Sequence, residues 1–186
     1  FCLSRGLGDV YKRQGWYCEK SDQYFLEKDL GPNKESPESG KPCVWKEEEN
    51  YFFKASRYEA QIRQLLQTDF IYPDYRAKEM LEFIKDGLQD FSVTRQNLEF
   101  AISVPGDESH KIYVWFDALI NYVTVCGFPQ STYKDKWPVD FHIIGKDINR
   151  FHSVWWPAML LSADLPLPKK IICLLYTSDA ADEEDS

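Results

Sequence analysis

The chain has 186 residues, 44% hydrophobic and 16% aromatic, which is enough for one domain with a sizeable core and too apolar for a disordered segment. A formal net charge of -8 speaks against a protein whose main surface grips nucleic acid by releasing counterions. No apolar run approaches the ~20 residues that span a bilayer, and no basic start leads into a long apolar stretch, so neither a membrane span nor a secretory leader is expected.

The five cysteines (Cys2, Cys18, Cys43, Cys126 and Cys173) are widely spaced and form no Cys-x-x-Cys pair. Reduced thiols in an intracellular protein are the expectation, rather than a zinc knuckle. The two ends differ from the middle. Residues 1–14, FCLSRGLGDVYKRQ, lack clean periodicity, and residues 173–186, CLLYTSDAADEEDS, close in a small, acidic, low-complexity run. Both resemble translated adapter sequence and are set aside as a non-native flank and tail. They carry +2 and -5, so residues 15–172 carry only -5.

Residues 15–27 are aromatic and partly alternating, which predicts short strands. Residues 31–43, rich in Gly, Pro and Ser, predict an exposed loop. From Val44 to Gln67 the residues Phe53, Arg57, Gln61 and Leu65, with Tyr58, Ile62 and Leu66 beside them, predict an amphipathic helix, and Glu47, Glu48 and Glu49 read as its solvated, dipole-favoured start. Pro73 interrupts it. A second helix is predicted from Tyr75 to Leu88, with Met80, Phe83, Ile84 and Leu88 on one face and Gly87 near its end.

Beyond Phe91 the pattern changes. Leu98–Val104 and Lys111–Phe116 read as strands joined through a turn at Pro105, Gly106 and Asp107, with Asp117 capping a helix that ends before Gly127 and Pro129. Val139–Ile144 reads as a strand buried on both faces, followed by a helix from Asp147 to Ser162 with a kink at Pro157, and a strand starts at Lys169. Strand, helix, strand, helix, strand predicts a parallel sheet of the α/β class with crossover helices. Ligands of such sheets sit at the carboxyl ends of the strands. That directs attention to two strand-to-helix junctions, Trp115–Ala118 and Gly145–Asp147.

At the second junction Gly145 lets a ligand approach the backbone, Lys146 offers a charge to a phosphate, and Asp147 can accept hydrogen bonds from a ribose. The plainer alternative is a helix cap beside a solvated lysine. In the next helix Ile148, His152, Trp155 and Met159 share a face, with Phe151 on the adjacent stripe. His152 is the only ionisable group on an apolar surface: a core histidine, or a group that fixes a small ligand. His110 and His142 stand too far from it along the chain to suggest a metal cluster. Trp115, at a strand end, and Tyr122, one helical turn beyond Ala118, are either core aromatics or two walls of an apolar pocket suited to a thioether. No Gly-x-Ser-x-Gly elbow is present.

The strings GWYC (15–18), EEENYFFKASRY (47–58), LQDFSVTR (88–95), YVWFDALINYVT (113–124) and HIIGKDINRFHSVWWPAMLLSADLPLPKK (142–170) resemble the methionyl-tRNA synthetases, in that family's order from about Gly15 to Ile172, and most of all the bacterial and mitochondrial type. The resemblance implies the second half of a Rossmann-like class I catalytic domain (51–172, with a helical segment) preceded by a remnant of the connecting insert (15–50). It implies an ATP-dependent ligase that forms methionyl-adenylate and passes methionine to tRNA(Met). By position, Trp115, Ala118, Tyr122, Ile148, Phe151 and His152 match the family's methionine pocket, while Gly145, Lys146 and Asp147 match its ATP contacts. ATP with Mg2+ is then the co-substrate, and the place of action is the bacterial cytoplasm or the mitochondrial matrix, away from the membrane. The family's His-Ile-Gly-His and Lys-Met-Ser-Lys-Ser motifs and its anticodon-binding domain are absent, so the chain alone is expected to be inactive. Only Cys18 and Cys43 fall where many members carry zinc ligands, so no zinc is expected.

Overall fold

In the computed structural model of the chain, residues 7–20, 23–25, 27–37, 39–96 and 100–174 are described. Among these residues three small sheets are formed. The first is antiparallel, in the order β2-β1-β3-β5, from β1 (Leu7–Cys18), β2 (Gln23–Phe25), β3 (Val44–Phe53) and β5 (Phe91–Ser92). The second is parallel, in the order β4-β10-β9, from β4 (Ile71–Tyr72), β9 (Phe141–Gly145) and β10 (Lys170–Leu174). The third is antiparallel, in the order β6-β8-β7, from β6 (Thr94–Arg95), β7 (Ser103–Val104) and β8 (Asp107–Ile112). Among the described residues four α-helices join and cover them: α1 (Glu59–Leu66), α2 (Asp74–Phe83), α3 (Val114–Val125) and α4 (Trp156–Ser162). Their apolar faces share one core, which includes Ile62, Leu66, Ile71, Leu119, Trp156 and Ile171.

The predicted helix from Val44 to Gln67 is half strand. Glu48, Asn50 and Phe52 are buried while Glu47 and Glu49 are exposed, so the burial period along this stretch is two. The backbone pairs with β1 from Tyr17↔Val44 to Leu7↔Phe53. Glu48 is therefore not a solvated helix start. Burial pushes its carboxyl up, but the Gln96 amide, Asn50 and Tyr24 hydrogen bonds outweigh burial and hold it below the usual carboxylate range. A helical stripe does begin, but only at Ala55, with a 3₁₀ turn leading into α1. The strand partner lies 27 to 46 residues upstream, from Tyr17↔Val44 to Leu7↔Phe53, partly in the segment that sequence alone sets aside, so no local window reveals it.

The other boundaries shift in a consistent way. The second helix stops at Phe83, ahead of the expected Leu88, and Gly87 follows at φ +104°. Of the strand expected over 98–104 only Ser103–Val104 pairs, and residues 97–99 lie outside the described ones. The strand expected through Phe116 ends at Ile112, and α3 begins at Val114. Trp115 is thus in a helical first turn and not at a strand end. Asp117 lies inside that turn and not at its cap, with its own N–H donating to the Tyr113 carbonyl. Gly127, at φ +105°, ends α3 in a backbone region that suits a residue without a Cβ.

β8 is also not a member of the parallel sheet, as the strand–helix alternation suggested. The third parallel strand is instead β4, two residues too short to show any periodicity, recruited by β10 through Ile171↔Ile71. Within β9, His142 and Ile144 are buried, but Phe141 is 55% and Ile143 65% exposed. The strand expected to be covered on both faces is covered on one. Tyr72 of β4 and Leu174 of β10 are exposed as well.

The helix predicted from Asp147 to Ser162 is three pieces: a 3₁₀ turn (Lys146–Ile148), a π-helical turn (Phe151–Trp155) and α4. Pro157 explains the break. It has no N–H to give, so it fits near the start of a new helix, after the π turn closes through the Trp156 N–H on the Phe151 carbonyl.

Candidate active site

α3 and the π turn face each other, and most of the residues singled out in the sequence lie between them. Trp115 stacks on Phe151 with ring centroids 4.1 Å apart and planes 23° off parallel. Phe151 meets Trp155 edge-on at 4.8 Å, and Trp155 stacks on Phe91 at 4.5 Å. Phe91 is the residue that sequence reasoning passed over. It stands at the end of the antiparallel sheet, and its only sequence signal is its place within the LQDFSVTR string.

Two helical turns further along α3, the Tyr122 hydroxyl meets His152 Nε2 at 2.8 Å, and His152 Nδ1 lies 3.0 Å from the Ile148 carbonyl oxygen. A carbonyl accepts only, so His152 carries its proton on Nδ1 and its Nε2 accepts from Tyr122. Burial keeps this imidazole below its ordinary pKa against the pull of the Ile148 carbonyl, and burial pushes the Tyr122 hydroxyl up. Both groups are neutral. Ile148 therefore acts through its backbone as well as through its half-buried side chain. Ala118, exposed on α3 between Trp115 and Tyr122, makes no polar contact; its small side chain leaves that strip of the helix open.

His142 does not stand apart. Its ring lies 5.9 Å from that of His152 and 4.4 Å from that of Tyr122, while its Nε2 accepts a hydrogen bond from the Trp156 indole N–H at 3.2 Å. Burial, with His152 close by, pulls its pKa down to about 4. Two histidines ten residues apart come together because β9 runs beneath the π turn.

Gly145, Lys146 and Asp147 sit at the carboxyl end of β9, where open parallel sheets hold their ligands. A Cβ on Gly145 would meet nothing within 4 Å. Lys146 and Asp147 are exposed, and neither side chain has a hydrogen-bond partner among the described residues. Beside the aromatic cluster a cleft of about 690 Å³ is walled by Phe91, Trp155, Tyr113, Arg95 and Arg150. Arg95 is buried, with its guanidinium 3.9 Å over the Tyr113 ring and one arm donating to the Thr94 carbonyl. It is a cationic wall residue that periodicity could not flag, because β6 is only two residues long.

Among the described residues no group of three or more His, Cys, Asp or Glu is placed to hold a metal. Among the described residues Cys18, Cys43, Cys126 and Cys173 form no disulfide, and no helix is long and apolar enough to cross a membrane.

A family profile described as tRNA synthetases class I (M) matches residues 9–180. Methionine–tRNA ligase of Nostoc sp. is 45% identical over 175 residues, and that of Thermotoga maritima 44% over 173; each alignment covers 88% of this chain. It takes in 33% and 28% of those proteins, so the chain spans about a third of the length of the curated relatives it matches. The crystal structure of Mycobacterium tuberculosis methionyl-tRNA synthetase bound by methionyl-adenylate superposes with a TM-score of 0.83 at 37% identity, over 90% of this chain and 35% of that one. With the mixed α/β fold in place and the profile covering nearly all of its length, the chain belongs to the class I tRNA synthetases of the methionine type.

Proposed function

We propose that the whole protein to which this chain belongs activates methionine with ATP, giving methionyl-adenylate and pyrophosphate, and then transfers the methionyl group to the 3′ end of tRNA(Met). The observation that carries this reading is the neutral Tyr122–His152 pair set in an aromatic wall beside the carboxyl end of β9. A thioether is weakly polar and gains ~0.3–1.5 kcal/mol from ring contacts, so rings plus one uncharged hydrogen-bonding pair suit it. A charged histidine at that place would instead favour an anion.

In this reading Trp115, Phe151, Ile148 and Ala118 line the side-chain pocket, while Tyr122 and His152 present its polar element. Gly145 lets the nucleotide approach the backbone, Lys146 supplies a positive charge to phosphate, and Asp147 accepts from a ribose hydroxyl. The open space at Gly145 and the exposure of Lys146 and Asp147 suit a nucleotide brought with its Mg2+. The methionine carboxylate attacks the α-phosphorus, and the P–O bond to pyrophosphate breaks. Holding the reactants in line and neutralising phosphate charge supply the acceleration, with no covalent bond to the protein. The bacterial cytoplasm or the mitochondrial matrix is the place of action.

Methionine-dependent ATP–pyrophosphate exchange in the whole protein tests this. Exchange with methionine and not with leucine is the expected result. Equal exchange with leucine, or methionine exchange untouched by His152→Ala, would overturn it.

A further inference from the structure

Behind the Tyr122–His152 pair lies a third polar side chain that the proposed reaction does not use. His142 projects from the buried face of β9 and is 5% exposed. Its Nε2 is 3.2 Å from the Trp156 indole nitrogen. An indole N–H can only donate, so His142 Nε2 is an acceptor and the proton of this neutral ring is on Nδ1. Tyr122, Trp137 and His152 face it at centroid distances of 4.4–6.0 Å, with the Trp156 indole hydrogen-bonded to it, and no carboxylate or cation is among these groups.

Two elements depend on this side chain. The first is the π turn. Trp156 is the residue whose backbone N–H closes it on the Phe151 carbonyl, and its indole N–H is hydrogen-bonded to His142 of β9. A π turn holds one residue more than an α turn, and within this one Phe151 and His152, consecutive in sequence, are both buried, Phe151 against Trp115 and His152 against Tyr122 of α3. The second element is Tyr122. The His142 ring packs against the phenol with centroids 4.4 Å apart, next to the hydrogen bond from the Tyr122 hydroxyl to His152 Nε2.

We infer that His142 is a positioning residue for the amino-acid pocket: it holds the register of the π turn through Trp156 and the aim of Tyr122 through ring contact, without touching substrate. The burial that lowers its pKa to about 4 keeps it an acceptor across the neutral range. This inference rests on the reading of Trp115, Tyr122 and His152 as the methionine wall, and its test separates the two.

The test uses the whole protein and three variants. His142→Phe keeps a ring and loses the acceptor, His142→Gln keeps an acceptor, and Trp156→Phe loses the donor. In pyrophosphate exchange, His142→Phe and Trp156→Phe are expected to raise the methionine KM roughly tenfold, the scale of one lost buried hydrogen bond. ATP KM stays within about twofold, since Gly145, Lys146 and Asp147 keep their backbone. His142→Gln should restore most of the loss, and the double variant should be no worse than either single. A purely structural role would instead move both KM values together with thermal stability and give no rescue by Gln, and that outcome overturns the inference. So does an unchanged methionine KM in His142→Phe. If wild type exchanges with another amino acid, the methionine reading fails, and the same split is read on that amino acid. A readout free of substrate is the ¹⁵N signal of the His152 ring. It should report a proton on Nδ1 in wild type and a tautomer mixture in His142→Phe; an unchanged Nδ1–H tautomer there also overturns the inference. Should His142→Phe not fold, Trp156→Phe and His142→Gln carry the comparison.

Discussion

The two halves of the candidate site are built in opposite ways. Tyr122, His152 and Trp156 are hydrogen-bonded within the chain: hydroxyl to imidazole, imidazole to carbonyl, indole to the second imidazole. At the end of β9 the Lys146 and Asp147 side chains beside Gly145 are exposed and make no hydrogen bond among the described residues. The first half is a preorganised wall whose shape this chain sets by itself. The second is an edge that waits for partners. The open apolar row of Phe141, Ile143 and Tyr72 beneath that edge points the same way: the sheet is finished on the side of the amino-acid pocket and unfinished on the other. Preorganised groups lose little on binding, whereas groups that must be completed contribute nothing until their partners arrive.

The most severe way to test this contrast is to withhold the partners. The 186-residue chain alone should show no methionine-dependent pyrophosphate exchange, because it spans about a third of the relatives' length and half of its site is an edge. Any methionine-dependent signal above background would mean that the edge is complete as it stands. Next in size is His152→Ala in the whole protein. It leaves the Tyr122 hydroxyl and the Ile148 carbonyl without their partner inside a buried wall, a cost of about 2–3 kcal/mol. Methionine KM is expected to rise on the order of 30- to 150-fold, with a drop in melting temperature. Asp147→Ala should behave differently. Nothing inside the chain depends on that carboxylate, so melting should stay within about 1 °C, as for surface changes near ±0.5 kcal/mol, while ATP KM rises roughly tenfold. If Asp147→Ala destabilised the protein as much as His152→Ala, the distinction between wall and edge would be gone.

The same contrast explains what could be read in the sequence. Trp115, Tyr122, Phe151 and His152 fall on helical faces, and helical spacing is local, so the pairing of the two faces followed from pattern and family resemblance. The partners that complete the wall come from strands that pattern cannot register. Arg95 lies in a two-residue strand, and Phe91 stands at the start of another. His142 looked isolated because ten residues of chain separate it from His152, although β9 passes directly under the π turn. The stretch from Val44 to Phe53 failed for a related reason. Its Glu-rich run satisfies helix propensity, yet β1 and β5 take its backbone, and the period of two shows only once they are in place. The mixed α/β class survived these shifts, while the membership of the parallel sheet did not, since β4 was silent in the sequence and β8 belongs elsewhere.

Acid separates the wall from the rest of the molecule by its sign and its pH window. His142, with a folded pKa of about 4, and His152, also lowered, are neutral in the fold and take up protons more readily once unfolded, where the reference value is 6.5. Their contribution to stability is therefore whole above pH 6.5 and declines as pH falls from there toward 4. Asp107 sits outside the wall, where it accepts from Ser109, His110 and Tyr51 and has its carboxyl lowered to about 2. Its stabilising contribution is whole above the ordinary carboxylate value of about 3.9 and is lost only as pH falls toward 2. A pH series of melting temperatures should thus fall in two steps, the first between pH 6.5 and 4 and amounting to several degrees, as 1 kcal/mol shifts a domain of this size by about 2–4 °C. His142→Gln should shrink the first step and leave the second in place, whereas Asp107→Asn should do the reverse. One merged transition that both variants shift alike would show that the histidine wall and the Asp107 cluster do not act as separate units.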